Sequence, residues 1–260
     1  MAVGTLLRRA VTPAAVLLLW EVLGRAGVLD VRFVPPPSRV AAAWLVWLRG
    51  GGPAGDPYAG TWLLAARDSA YRVLLGFAVA AAVGTAAGAL VGWYRVGEDL
   101  LDPLIQIARP IPITAWVPFA IIFFGFYTAS AVFLIALGAF FPIFVNTAAG
   151  IRRVPSVLVR AARMLGTPPR LLLPRVALPA ALPYVLTGLR IGMGAAWVLV
   201  IVSEMVAVKS GLGYSLWNAY YFLRMDIIIA AMASVGGLGF LSDRLLIWAG
   251  RPLLRWSEGD

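Results

Sequence analysis

The sequence predicts an all-α polytopic membrane protein of about six transmembrane helices, and three observations carry that prediction. Hydrophobic residues make up 61% of the 260 and charged residues only 13%, at a mean hydropathy of +0.87. Apolar runs recur at lengths of roughly 20 residues, enough for a helix to cross a hydrocarbon core of ~30 Å. Basic residues gather at the ends of those runs, so the net charge of +10 reads as membrane topology and not as nucleic-acid binding. Cysteine and histidine are both absent. That excludes a disulfide framework, a thiolate metal site, a Cys nucleophile and the commonest general base and proton relay.

Taken in order, the spans fall at about 10–28, 70–93, 104–125, 128–149, 184–208 and 226–249. The first run, with Arg8 and Arg9 before it and Gly24-Arg25-Ala26 after it, loosely resembles a signal peptide. Trp20 and Glu21 within it, and five more spans behind it, favour a retained helix. The connection from Asp30 to Ser69 holds Val34-Pro35-Pro36-Pro37-Ser38, where successive prolines force an extended path. Ser38 is placed to cap a short interfacial helix with Val40, Trp44, Trp47 and Leu48 on one side, and Gly50 to Gly60 reads as a turn-rich loop.

In the second span Gly76, Ala80, Gly84, Gly88 and Gly92 recur every four residues, a smooth stripe for close helix packing. Gly188, Gly192 and Ala196 repeat the pattern in the fifth. The stripes predict packing without saying whether the neighbour is in this chain or a second copy. The third span begins with Asp102-Pro103, Arg109-Pro110, Ile111-Pro112 and Val117-Pro118, prolines that kink or interrupt a helix. Two readings follow: an interrupted helix lining a pathway, or a re-entrant turn leading into a kinked helix.

The loop between spans four and five carries Arg152, Arg153, Arg160, Arg163, Arg170 and Arg175 with no acidic residue. With Arg8, Arg9, Arg251 and Arg255 near the termini, it belongs on the cytoplasmic side. The opposite side receives the 30–69 connection and the 209–224 loop, whose Tyr214, Trp217, Tyr220, Tyr221 and Phe222 suit an interfacial belt. Within the basic loop, Pro155-Ser156 starts a helix with Val157, Leu158, Ala161 and Leu165 on one face. Gly166 ends it, and Thr167-Pro168 opens a second short helix before Pro174. So much apolar surface on a water-facing loop predicts a protein that covers it.

Residues 160 to 183, through their Ala161-Ala162, Gly166 and Leu178-Pro179 spacing, resemble the EAA loop of ABC importer transmembrane subunits, whose motif runs Glu-Ala-Ala, then Gly, then a distal Leu-Pro. Further blocks extend the likeness: Leu101-Asp102-Pro103, Arg109-Pro110-Ile111-Pro112, Gly138-Ala139-Phe140-Phe141-Pro142, Asn146-Thr147, and Leu178-Pro179-Ala180-Ala181-Leu182-Pro183 through Arg190. Together they are similar to the nitrate, sulfonate and taurine branch of these permeases, over residues 35 to 256. The motif's leading Glu is Arg160 here, which puts the partner's charge in question. The resemblance implies a type I importer permease fold, residues 1–260 forming one permease domain, and 150–183 forming a cytoplasmic coupling loop. It places the ATPase contact at Arg160, Ala161, Ala162, Gly166 and Pro179.

The resemblance also implies the partners. These are a second permease copy or a sister permease, two ATPase subunits holding ATP-Mg, and an extracytoplasmic solute-binding protein, in a bacterial-type plasma membrane with both termini cytoplasmic. The chain itself has no GxxxxGK[ST] phosphate loop, and Lys209 lacks the preceding glycines, so ATP hydrolysis is expected in a separate chain. No metal or cofactor is expected in this one. Candidates for the translocation path are Glu204, an intramembrane carboxylate that needs a cavity or a partner, with Trp116 and Asn146. Arg190 reads as an arginine that snorkels to the cytoplasm. The implied cargo is a nitrate-, sulfonate- or taurine-like anion or a related small organic compound. The rival class is a single-chain ion-coupled secondary transporter, against which the missing histidine and the lack of an evident inverted repeat argue.

Overall fold

Why helices dominate follows from the solvent: in a bilayer every backbone N–H and C=O of a spanning segment must be satisfied within the protein, and a helix does this locally. The computed structural model describes residues 2–53 and 55–254, with side-chain surroundings from residue 11 onward. Arg255 lies outside the described residues, and Arg8 and Arg9 fall where only backbone is described. The helices are α1 (Ala2–Arg25), α2 (Pro37–Arg49), α3 (Trp62–Trp93), α4 (Arg95–Ala108), α5 (Val117–Phe124) and α6 (Thr128–Arg152). After them come α7 (Ser156–Met164), α8 (Pro169–Leu172), α9 (Leu178–Ala180), α10 (Leu182–Ala207), α11 (Leu212–Tyr221) and α12 (Met225–Gly250).

Among the described residues four helices are long and apolar enough to cross a membrane, Trp62–Trp93, Thr128–Arg152, Leu182–Ala207 and Met225–Leu254. The third expected span is not one rod. It is α4 and the segment Ile113–Phe124, bent by 92° at the intervening break, and counts as a fifth span if taken together. The prolines explain the break: Pro110 and Pro112 sit inside it and donate nothing to a helix ladder, while Pro118 starts α5 where a missing N–H costs nothing. The first expected span falls on α1.

The chain packs as two compact units, residues 1–68 with 210–235, and residues 69–209 with 236–260. In the first, Pro36 and Pro37 and not Ser38 begin α2, with no side-chain cap from the helix itself. Ser38 instead donates its N–H (2.9 Å) and hydroxyl (2.8 Å) to the Glu21 carboxylate, so an acid on α1 satisfies the donors at the start of α2. Val40 and Trp47 are buried while Leu48 is exposed, which narrows the expected apolar face. The Trp47 indole donates to Thr61 Oγ1 at 3.2 Å and meets Tyr58 edge-on. Arg224 follows Leu223, the one described non-glycine residue at positive φ (52°). Its guanidinium donates to Asp226 at 3.0 and 3.1 Å and to Asp56 at 3.4 Å. The hydrogen bonds to Asp226 first, then the two acidic charges, hold Arg224 above its ordinary pKa. Burial pushes the Tyr58 phenol up.

The second unit is built around α6, and the small-residue stripes decide its packing. A Cβ on Gly76 would stand 2.7 Å from Ile135, and one on Gly88 would stand 2.7 Å from the Phe144 carbonyl and 2.8 Å from Thr147. From α10, a Cβ on Gly188 would meet Asn146 at 2.8 Å and one on Gly192 would meet Ile143 at 2.9 Å. Both stripes therefore bring backbone close to α6 within the chain, the contact the periodicity left unassigned. Ala131, Leu134, Ile135, Ala139, Ile143 and Phe144 on α6 are each at most 1% exposed. Further along, α10 is tied to α12 by Arg190, which forks onto Asp243 at 2.8 and 3.1 Å, and by Trp197, which donates to Ser242 at 3.1 Å. Arg190 thus has a carboxylate partner and does not simply snorkel.

Candidate functional site

The basic loop has a fixed base and a bare tip. At the base, Ala177 and Ala181 cluster with Ala89 and Ile151, flanked by Trp93, Val154, Leu173 and Leu178. This seats the loop on α3 and α6. Pro174 and Pro179 cannot donate to a regular ladder, and the stretch Leu173–Ala177 between α8 and α9 is wound as a π-helical turn. At the tip, α7 starts after Pro155, and Leu165 and Gly166 donate back to Ala161 and Arg163 (both 3.0 Å). Gly166 holds φ +84° with nothing within 4 Å of where a Cβ would stand. The elbow thus needs glycine for its backbone angle and not for space. The second cap is displaced by one residue: Pro168 precedes α8 and Pro169 opens it, in place of Thr167 and Pro168.

Arg160, Ala161, Gly166 and Pro179 are exposed and Ala162 half-buried. Met164 and Leu165 are each 87% exposed, with Val157 and Leu158 beside them at 58% and 45%. A helix of nine residues that buries none of its side chains gains little from this chain's own packing. Its apolar surface fits a partner surface better than water.

Glu204 has a different setting. It is fully buried, and its carboxylate accepts from Arg72 Nη1 at 2.6 Å and from the Ser69 hydroxyl at 2.9 and 2.8 Å. Arg72 is 5% and Ser69 0% exposed. Two charges at this depth are tolerable because each meets the other and the hydroxyl takes up the remaining acceptor capacity. Ser69 and Arg72 escaped the sequence reading because the second span was begun at residue 70, which left one outside and the other at its edge. The signal was there: they stand i, i+3 on one helix face, and Glu204 had no acidic or basic neighbour of its own in sequence.

The other two path candidates have separate settings. Asn146 is half-buried at the contact of α6 with α10, its Nδ2 donating to the Pro142 carbonyl at 2.8 Å. Trp116 ends the 3₁₀ turn Ile113–Trp116 and meets Phe119 edge-on at 5.7 Å between ring centroids. Its indole nitrogen is buried without a hydrogen-bond partner among the described residues. No cluster of three or more His, Cys, Asp or Glu fit to hold a metal occurs among the described residues.

Comparison with known proteins adds to this geometry. Residues 76–251 match the family described as binding-protein-dependent transport system inner membrane component. The chain is 34% identical over 244 residues to a putative aliphatic sulfonates transport permease of Bacillus subtilis strain 168, covering 94% of this chain and 85% of that one. It is 33% identical over 256 residues to the taurine transport system permease of Escherichia coli K12, covering 98% and 89%. Its fold is similar to that of a chain in the methionine ABC transporter solved in inward-facing conformations, with a TM-score of 0.55 and 18% identity, covering 74% of this chain and 99% of that one.

Proposed function

Since this chain belongs to the family of binding-protein-dependent transport system inner membrane components, a multi-pass permease of ABC importers, we propose that it carries a small sulfonate- or taurine-type anion through the membrane in an ATP-driven complex. The observation that carries the coupling half of this reading is the tip of the basic loop. There a bare amphipathic helix ends at an elbow glycine, on a base packed against α3 and α6. Arg160, Ala161, Ala162 and Gly166 sit where an ATPase groove would receive them, and Pro179 belongs to the stem behind. Arg160 calls for an acidic partner in that groove. The cargo class follows from the sulfonate and taurine relatives.

In this reading ATP-Mg binds and is hydrolysed in two separate ATPase subunits, a binding protein delivers the solute from outside, and a second permease copy or a sister permease completes the path. Both termini and the 150–183 loop face the cytoplasm. Nucleotide drives the cycle by binding one conformation of the assembly better than the other. The Ser69–Arg72–Glu204 cluster clamps α3 to α10, so that the two helices move together when α7 is displaced.

The test is reconstitution of the chain with its cognate ATPase and binding protein in proteoliposomes, with labelled taurine and ethanesulfonate as probes. Uptake should need ATP and the binding protein together, and the isolated chain should neither hydrolyse ATP nor accumulate either probe on a proton or sodium gradient. Gradient-driven accumulation by the isolated chain would overturn the proposal in favour of a secondary transporter.

A further inference from the structure

The break between α4 and α5 holds a charge that the fold does not use. Glu98 and Asp102 of α4 approach Arg152, the last residue of α6, at 3.2 and 4.0 Å. Ile113 lies 3.6 Å from where a Cβ on Gly138 would stand, near the middle of the 25-residue α6. Between residues 102 and 113 the chain therefore climbs from the end of α6 to its mid-length, roughly 20 Å at the helical rise. Irregular backbone at such depth persists only where protein covers it or water reaches it.

Arg109 sits on this climb. It is exposed, its backbone closes the last turn of α4 by donating to Ile105 at 2.9 Å, and its guanidinium has no hydrogen-bond or ion-pair partner among the described residues. The described arginines of α3, α6 and α10 each have a carboxylate partner: Arg67 has Asp68, Arg72 has Glu204, Arg152 has Glu98 and Arg190 has Asp243. Seven residues on, at the far side of the same break, the Trp116 indole N–H is one of several buried polar groups without a hydrogen-bond partner among the described residues. An intramembrane arginine is costly unless it faces a water-filled cavity or meets an anion.

We propose that Arg109 is an anion-recognition residue of the translocation path, its guanidinium taking two oxygens of a passing sulfonate or carboxylate. This rests on the permease reading above and deepens it by naming a residue that selects the cargo. The planar fork of arginine matches such head groups, whereas a lysine supplies charge without that geometry. The contact is meant to be transient, because a path must release what it binds.

The reconstituted complex of permease, ATPase and binding protein tests this with taurine and ethanesulfonate. Arg109→Gln should cut uptake by about tenfold or more, as removal of a charged hydrogen bond does, while leaving abundance and binding-protein-stimulated ATPase near wild type. Arg109→Lys should fall between the two. Arg95→Gln, at the exposed start of α4, should leave uptake unchanged. Since the chain has no cysteine, Arg109→Cys gives a single reporter thiol, which a sulfonate-bearing methanethiosulfonate should label and excess ethanesulfonate should protect. Wild-type uptake by Arg109→Gln, or a reporter thiol in Arg109→Cys that the aqueous reagent never reaches, would overturn the proposal and leave the permease reading intact. ATPase and uptake falling in parallel would also overturn it, making the residue structural. If the wild-type complex hydrolyses ATP yet carries neither probe, the cargo class falls, and the anion site with it.

Discussion

The tip of the basic loop and the packed trio α3, α6 and α10 are both rich in small residues, yet the two regions use them in opposite ways. In the trio, glycines remove side chains so that backbones can touch, and the missing Cβ atoms would collide with carbonyls and β-branched side chains on α6. At the tip, Gly166 has open space around it and is needed for a backbone angle alone. The difference teaches that the glycines of α3 and α10 serve close packing, while Gly166 serves a turn of the backbone. Surroundings, not residue type, tell them apart.

The sharpest way to break that comparison is through the buried cluster, where the largest effect is expected. Glu204→Leu removes the carboxylate that faces buried Arg72 and should cost roughly 3–5 kcal/mol, since an uncompensated charge remains. Thermal unfolding in detergent and membrane abundance should both fall sharply. Combining it with Arg72→Met should recover much of the loss. A Glu204→Leu variant as stable as wild type would mean that the ion pair contributes nothing to the fold.

Next in size is Gly88→Val. Its new Cβ would stand 2.7 Å from the Phe144 carbonyl, an obstacle that cannot rotate away, so overpacking should cost about 1–3 kcal/mol. Melting temperature in detergent is the measurement. An unchanged value would show that α3 does not lie on α6 this closely.

The contrast is sharpened by the same substitution at the elbow. Gly166→Val meets no neighbour but must hold φ +84°, a strain of about 1–2 kcal/mol confined to a loop tip. Melting temperature should fall by no more than a few degrees, while binding-protein-stimulated ATPase activity and coupled uptake should drop severalfold. Loss of folding with no selective loss of coupling would erase the distinction between the two regions. The smallest effect belongs to Arg160→Glu, exposed on α7, which should leave stability unchanged and alter ATPase docking measured by co-purification, weakening it if the groove is acidic. No change in docking would remove Arg160 from the contact.

How much of this was legible in the sequence depended on whether a feature is periodic or pairwise. The stripes of α3 and α10, the elbow at Gly166 and the proline interruption ahead of α5 are local patterns, and each appears in the fold near the position read. Pairings were not legible. Ser38 looked like a cap for its own helix, yet donates to Glu21, because Pro36 and Pro37 had already begun α2 and freed the serine for α1. Glu204 and Arg72 stand 132 positions apart, and no spacing rule joins them. Arg190 looked like a lone charge near an interface because Asp243 lies on another helix. The span boundaries were also blurred. Helix α3 starts at Trp62, well before the apolar run, and carries the charged pair Arg67 and Asp68 ahead of it.

The stripe on α3 has a consequence for how such a chain changes over generations. When one side chain blocks another, drift has an exit, because a later change in the second residue can make room for the first. At Gly88 the obstacle is the carbonyl of Phe144, and at Gly92 the carbonyl of Ala148, groups that every residue at those positions would carry. No compensating substitution on α6 can remove them. A larger residue at either position therefore carries a packing cost that no substitution on α6 relieves, whatever solute is carried.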